Sequence, residues 1–103
     1  MKYLVAWKVR SGVGGGQAEA DIERSLKVFS KWSPPGDVKF LQFLTRLDGE
    51  GGYGVIESDN PAHVLEGPSK FGPWFEFTVT PVMDIMEGVP VFNEGIEFRK
   101  SIS

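Results

Sequence analysis

The amino-acid sequence predicts one α+β domain: a four-stranded antiparallel sheet with helices on one face and a further helix at the C-terminal end. Three observations lead there. Segments rich in β-branched and aromatic residues recur along the chain, two of the segments between them change to helical spacing, and glycine- or proline-rich stretches punctuate the series. At 103 residues the chain has room for a single domain, residues 1–103, with one modest core.

Residues 2–10 read as the first strand. Tyr3, Val5, Trp7 and Val9 alternate there with Lys2, Leu4, Ala6, Lys8 and Arg10. A glycine-rich connection, Ser11 to Gly16, follows. From Gln17 to about Trp32 the period becomes helical, with Ala18, Ile22, Leu26 and Phe29 on one side and Glu23 and Lys27 as an outer i,i+4 pair. Ser33-Pro34-Pro35-Gly36 stops that helix, since proline cannot continue it.

Residues 38–47 form the second strand, apolar on both faces, and Asp48 to Gly52 a hairpin turn. Residues 53–58 are the third strand. Asn60-Pro61 starts a second helix, with Asn as N-cap and Pro at the first helical position, and Gly67-Pro68 is expected to interrupt it within two turns. Residues 74–82 are the fourth strand, with Pro81 favouring an edge or terminal position. The tail from Pro90 to Ile102 reads as a third helix, with Val91, Gly95, Phe98 and Ile102 along one side, joined by Phe92 and Ile96. Gly95 there permits a close approach to another element. The order is that of the ferredoxin-like βαββαβ design with an added helix.

Composition narrows the function. Net charge is −3 and no Lys/Arg cluster stands out, which argues against nucleic-acid binding. The absence of cysteine removes disulfides, thiolate metal sites and cysteine nucleophiles. One histidine, His63, rules out a histidine-rich metal site. The glycine run at 12–17 misses the dinucleotide pattern, and neither a phosphate-loop Gly-Lys-Ser/Thr nor a Gly-x-Ser-x-Gly elbow is present, so no cofactor is expected. The apolar run at the start is too short for a signal peptide or a membrane span. A cytoplasmic address without membrane contact is the expectation.

A sheet covered on one side leaves its second face to explain. Alternation sends Tyr3, Val5, Trp7, Val9, Phe75, Phe77 and Val79 to the helices. It leaves Leu4, Ala6, Lys8 and Arg10, then Phe40, Gln42, Leu44 and Arg46, then Trp74, Glu76, Thr78 and Thr80 on the open face. The third strand can offer either Tyr53, Val55 and Glu57 or Gly54 and Ile56. Such a face is too apolar for plain solvent contact. It predicts a homodimer through the open sheet face, enclosing a small organic ligand among Lys8, Gln42, Arg46, Trp74 and Glu76. The alternative is a partly wet face with ordinary cross-strand charge pairs. His63, as a lone acid or base, would need a carboxylate neighbour and access to a cavity, and its helical position suggests the outside.

Three stretches carry a resemblance: the opening strand with Trp7 and Arg10, the run Pro34 to Leu41, and the pair Gly54 to Asp59 with Trp74 to Asp84. In order and spacing they resemble the uncharacterised bacterial family called domain of unknown function 3303, over nearly the whole chain. That family is similar to the dimeric α/β-barrel superfamily. The resemblance therefore implies a ferredoxin-like protomer and a sheet-to-sheet barrel dimer, in company with small monooxygenases, polyketide cyclases, lactone isomerases and stress-response proteins. Relatives often carry Trp-His on the second strand where this chain has Leu44-Thr45, so an activity that needs that imidazole is not expected. Two functions follow. The first is binding of a small aromatic or polyketide-like compound, with cofactor-free oxygenation, isomerisation or cyclisation as the chemistry if there is any. The second is a non-catalytic structural or regulatory homodimer whose interface is filled by side chains. Gly54, Ala6 and Thr78 would leave room at the open face; Tyr53 and Phe40 would fill it.

Overall fold

The alternation at the start of the chain becomes strand β1 (Lys2–Val9), and the computed structural model, which describes residues 1–10 and 15–103, builds the domain around it. There follow α1 (Gly15–Lys31), β2 (Lys39–Thr45), β3 (Gly51–Glu57), α2 (Pro61–Phe71), β4 (Phe75–Val82) and α3 (Ile85–Ile102). The glycine-rich connection after β1 lies largely outside the described residues. The four strands form one antiparallel sheet in the order β2-β3-β1-β4, the ferredoxin-like arrangement.

Register fixes the faces. Val5 stands opposite Gly54 and Val79, and Trp7 opposite Gly52 and Phe77. Tyr3, Val5, Trp7, Gly54, Ile56, Phe75 and Phe77 therefore share the face that α1 and α2 cover. Leu4, Ala6, Lys8, Glu76 and Thr78 lie on the other, and the third strand contributes Tyr53, Val55 and Glu57 to that open face.

The barrel is corrected. The sheet is open, with β2 and β4 as its two edges, and it neither curls nor closes. Four strands are too few to close on themselves, since the smaller closed barrels use about five to eight. A second correction concerns Phe40. The pairing of β2 with β3 skips a residue between Phe40 and Gln42. This bulge moves Phe40 to the helix face, opposite Ile56, while Gln42 and Leu44 stay on the open face. It also explains why β2 read as apolar on both sides.

Two helices are longer than their prolines suggested. α2 runs through Gly67 and Pro68 without a break. Tertiary packing holds it: Trp32 packs over Gly67, its ring 3.5 Å from where a β-carbon there would stand, meets Phe71 edge-on at 5.6 Å, and donates from Nε1 to Glu66 at 2.8 Å. α3 begins at Ile85, with Pro90 inside it rather than at its start. Asp84 occupies the N-cap position, and Lys2 Nζ donates to its carboxylate at 3.0 Å.

The β2–β3 hairpin requires glycines, and two of them show why. Gly49 takes a φ of 74°, a left-handed conformation, and Asp48 closes the turn by accepting from Glu50 N at 3.0 Å and from Arg46 at 2.5 Å. Gly52 lies flat beneath the Trp7 indole, and a β-carbon there would collide with both that ring and the carbonyl of Leu44. Gly52→Ala is therefore expected to cost about 2–3 kcal/mol, the scale of core overpacking, read as a lower urea midpoint at unchanged m-value.

The core sits between the sheet and the first two helices, where Ile56, Val64 and Phe71 are buried. α3 does not join it. The Cα radius of gyration is 18.2 Å, against about 13 Å for a compact chain of this size, and the longest dimension is 62 Å beside 31 and 21 Å. The helix runs out from the end of β4 with Met86 74% and Phe92 61% exposed.

Candidate functional site: an apolar cavity with a histidine at its rim

The layer between helices and sheet is not filled. Three small residues face it: Ser25 on α1, Gly54 on β3 and Gly67 on α2. Large rings stand around them, and the space left is a cavity of about 270 Å³. Its walls are aromatic and tied to one another. Trp7 meets Phe43 at 5.2 Å, Phe43 meets Phe29 at 5.9 Å, and Phe29 meets Phe71 at 6.1 Å. Phe75 and Phe77 of β4 complete the lining. Of these, Trp7, Phe29, Phe75 and Phe77 are aromatic residues that spacing points toward the core; here they border a space.

His63 is the one titratable side chain among the described residues that line this cavity. Its position follows from a network at the start of α2. The Ser58 hydroxyl, buried at the end of β3, donates to Asp37 Oδ2 at 2.7 Å, and the other carboxylate oxygen of Asp37 bonds Nδ1 of His63. Asn60 caps the helix, its Oδ1 accepting from Ala62 N at 3.0 Å. That bond fixes the orientation of the amide, so Asn60 Nδ2 is the group that faces His63 Nε2, at 3.4 Å. An amide nitrogen can donate but not accept, hence Nε2 is the accepting nitrogen and Nδ1–H donates to Asp37. The Ser58 hydroxyl, with the imidazole behind it, holds the Asp37 carboxyl below the usual carboxylate range. The two conditions set for His63, a carboxylate neighbour and access to a cavity, are thus both met. Sequence placed it on the outside because Asp37 lies 26 positions away in a loop. The proline-glycine turn before Asp37 gave no sign of its partner.

The residues read as a ligand set from alternation lie elsewhere. Lys8 and Glu76 face each other across β1 and β4 on the open side at 4.0 Å, both largely exposed. Arg46 follows β2 at the same end of the sheet, paired with Asp48, whose hydrogen bond and then charge raise the already high arginine pKa. Gln42 is on the open face opposite Val55. Trp74 precedes β4, half-buried, its carbonyl accepting from Arg10 N at 3.0 Å. None of the five lines the helix–sheet cavity.

Fold and site together define a small ferredoxin-like α+β domain with an apolar, histidine-rimmed cavity. The chain matches the family model of domain of unknown function 3303 over residues 1–96, and it belongs to that family. A search of curated proteins gives no match. Among the described residues no helix is long and apolar enough to cross a membrane.

Proposed function

We propose that this domain binds a small, mainly apolar molecule of one or two rings in the helix–sheet cavity, its one donor taking the Nε2 lone pair of His63 in place of the 3.4 Å contact from Asn60 Nδ2. One observation carries the reading: an aromatic cavity has at its rim a single imidazole whose Nδ1 is fixed by Asp37 and whose Nε2 accepts a long contact from Asn60 Nδ2, at 3.4 Å, that a better donor can displace. The volume suits the ligand. An apolar space on the order of 150 Å³ takes a benzene ring, so about 270 Å³ admits a substituted or fused ring. The preferred compound is a phenol or indole, an aromatic body with one donor. A base so placed could also take a proton from such a molecule, the cofactor-free kind of isomerisation or cyclisation chemistry.

Calorimetric titration with phenol, indole and toluene tests this. Phenol and indole should bind about tenfold tighter than toluene, the worth of one good hydrogen bond. His63→Ala should abolish that preference while toluene still binds. A wild-type protein that binds none of the three, or a preference that survives in the variant, would sink the proposal.

The open face supports a second reading, of a homodimer. Leu4, Ala6, Leu44, Tyr53 and Val55 form an apolar centre there, with Tyr53 41% and Leu44 50% exposed. Lys8, Arg46 and Glu76 stand in a row across its end, with Gln42 and Trp74 nearby, as the polar rim of an interface would.

A further inference from the structure

α3 has no place in its own protomer. It carries Ile85, Val89, Phe92 and Ile96 along one stripe, at i, i+4, i+7, i+11, and Val91, Phe98 and Ile102 along a second, at i, i+7, i+11 with Gly95 between. A helix apolar over so much of its circumference is a buried helix. Here Ile85, Met86, Val91, Phe92, Phe98 and Ile102 are 61–74% exposed. The connection from β4 is two residues, Met83 and Asp84, with Asp84 extended at φ −61° and ψ 137° and bonded to Lys2 on the open side of β1. This short, tied link sends the helix past the end of the sheet. The same chain therefore holds two uncovered apolar surfaces, α3 and the open sheet face, and keeps them apart.

We infer that two copies of this chain associate by exchanging α3, each helix lying on the open sheet face of the other. This deepens the homodimer reading and rests on it, but it is independent of ligand binding. The dimensions agree. An 18-residue helix is about 27 Å long and an 8-residue strand about 26 Å, so one helix covers the sheet from end to end. The area agrees as well. If each large α3 side chain loses on the order of 100 Å², exchange buries roughly 700–900 Å² per chain, close to the ~800 Å² per partner of a standard stable interface. A two-fold axis makes the contact self-complementary, so assembly stops at two. The second stripe of α3 then meets the same stripe of its mate, with Gly95 allowing the two backbones to approach.

The absence of cysteine makes the test direct. Tyr53→Cys and Phe92→Cys are made in separate chains, mixed, allowed to exchange, and treated with a short bis-maleimide. A covalent product containing one chain of each kind is expected, and light scattering should give twice the chain mass. Phe92→Glu with Ile96→Glu should give a monomer with unchanged far-ultraviolet circular dichroism. Three results would overturn the inference: a wild-type monomer at tens of micromolar; linkage within a single chain carrying both cysteines and none in the mixture, meaning the helix folds back; or a dimer linking Phe92→Cys chains to each other and never to Tyr53→Cys. Toluene and indole titrations on the same samples read the cavity separately, so loss of either property leaves the other measurable.

Discussion

Trp32→Ala should unfold at a temperature lower by about 15–20 °C. Trp32 follows the end of α1 and is the side chain that fastens both helices to the sheet. Its ring meets Phe29 at 6.3 Å, Phe40 at 6.4 Å and Phe71 at 5.6 Å, and Nε1 donates to Glu66 at 2.8 Å. Truncation removes the packing and leaves a hole next to a cavity that already exists, so the surroundings have little to collapse onto. The expected loss is about 3–4 kcal/mol, and a domain of this size shifts by several degrees per kcal/mol. Trp32→Phe separates ring from hydrogen bond. Burial pushes the Glu66 carboxyl up, while Lys70 and the Trp32 N–H together pull it below its ordinary value. Without the indole N–H that carboxyl should titrate higher, and the melting point should fall by only a few degrees. Calorimetry on both variants decides it. Equal, small losses would mean that α2 is held through Gly67 and Pro68 by something other than this tryptophan.

That dependence on Trp32 is also where sequence reasoning stopped short. Local rules read Gly67-Pro68 as a break and Pro90 as a start, because proline lacks the amide that a helix interior uses. The first is overridden by packing from a residue 35 positions earlier in the chain, which no local window contains. Alternation, by contrast, assigned the faces of β1 and β4 correctly. A period of two is a property of the backbone itself, and the pairing of Val5 with Val79 and Trp7 with Phe77 preserves it. It failed for Phe40 on β2, where one bulged residue inverts the phase of everything before it. The barrel came with the resemblance and not from the residues, and the open sheet with α3 standing away from it replaces that picture. The cavity was legible only in part. Spacing points Trp7, Phe29, Phe75 and Phe77 inward, as found, but puts Phe40, which also lines the cavity, on the open face. The small residues that prevent it from filling, Ser25, Gly54 and Gly67, come from three separate elements.

The network behind His63 gives the last prediction, because it couples stability to pH with a definite sign. Ser58→Ala removes a buried hydroxyl that donates to Asp37 at 2.7 Å and accepts from Asn60 N at 3.1 Å, leaving the Asn60 amide without that partner. The cost should be about 1–3 kcal/mol at neutral pH. The folded-state pKa of Asp37 lies below its unfolded value, chiefly through the Ser58 hydroxyl and then through His63. A carboxyl so depressed contributes stability that is fully present above its unfolded value, about pH 4, and is lost as pH falls through the lower folded value. In the wild type, the urea midpoint should therefore drop steeply below about pH 4. Ser58→Ala brings the two Asp37 values closer together, and Asp37→Asn removes the titration altogether. Both should flatten the acid limb, while Asp48, held low by the Glu50 amide and by Arg46, keeps its own share of the slope. The Asp37→Asn protein should also lose the phenol-over-toluene preference, because a carboxamide can turn its donor toward Nδ1 and reverse the imidazole tautomer. Imidazole ¹⁵N shifts would report that reversal directly. If both variants keep the wild-type acid slope, Asp37 is not the coupled group. If Asp37→Asn keeps both tautomer and preference, the carboxylate is a helix-start contact and His63 acts without it.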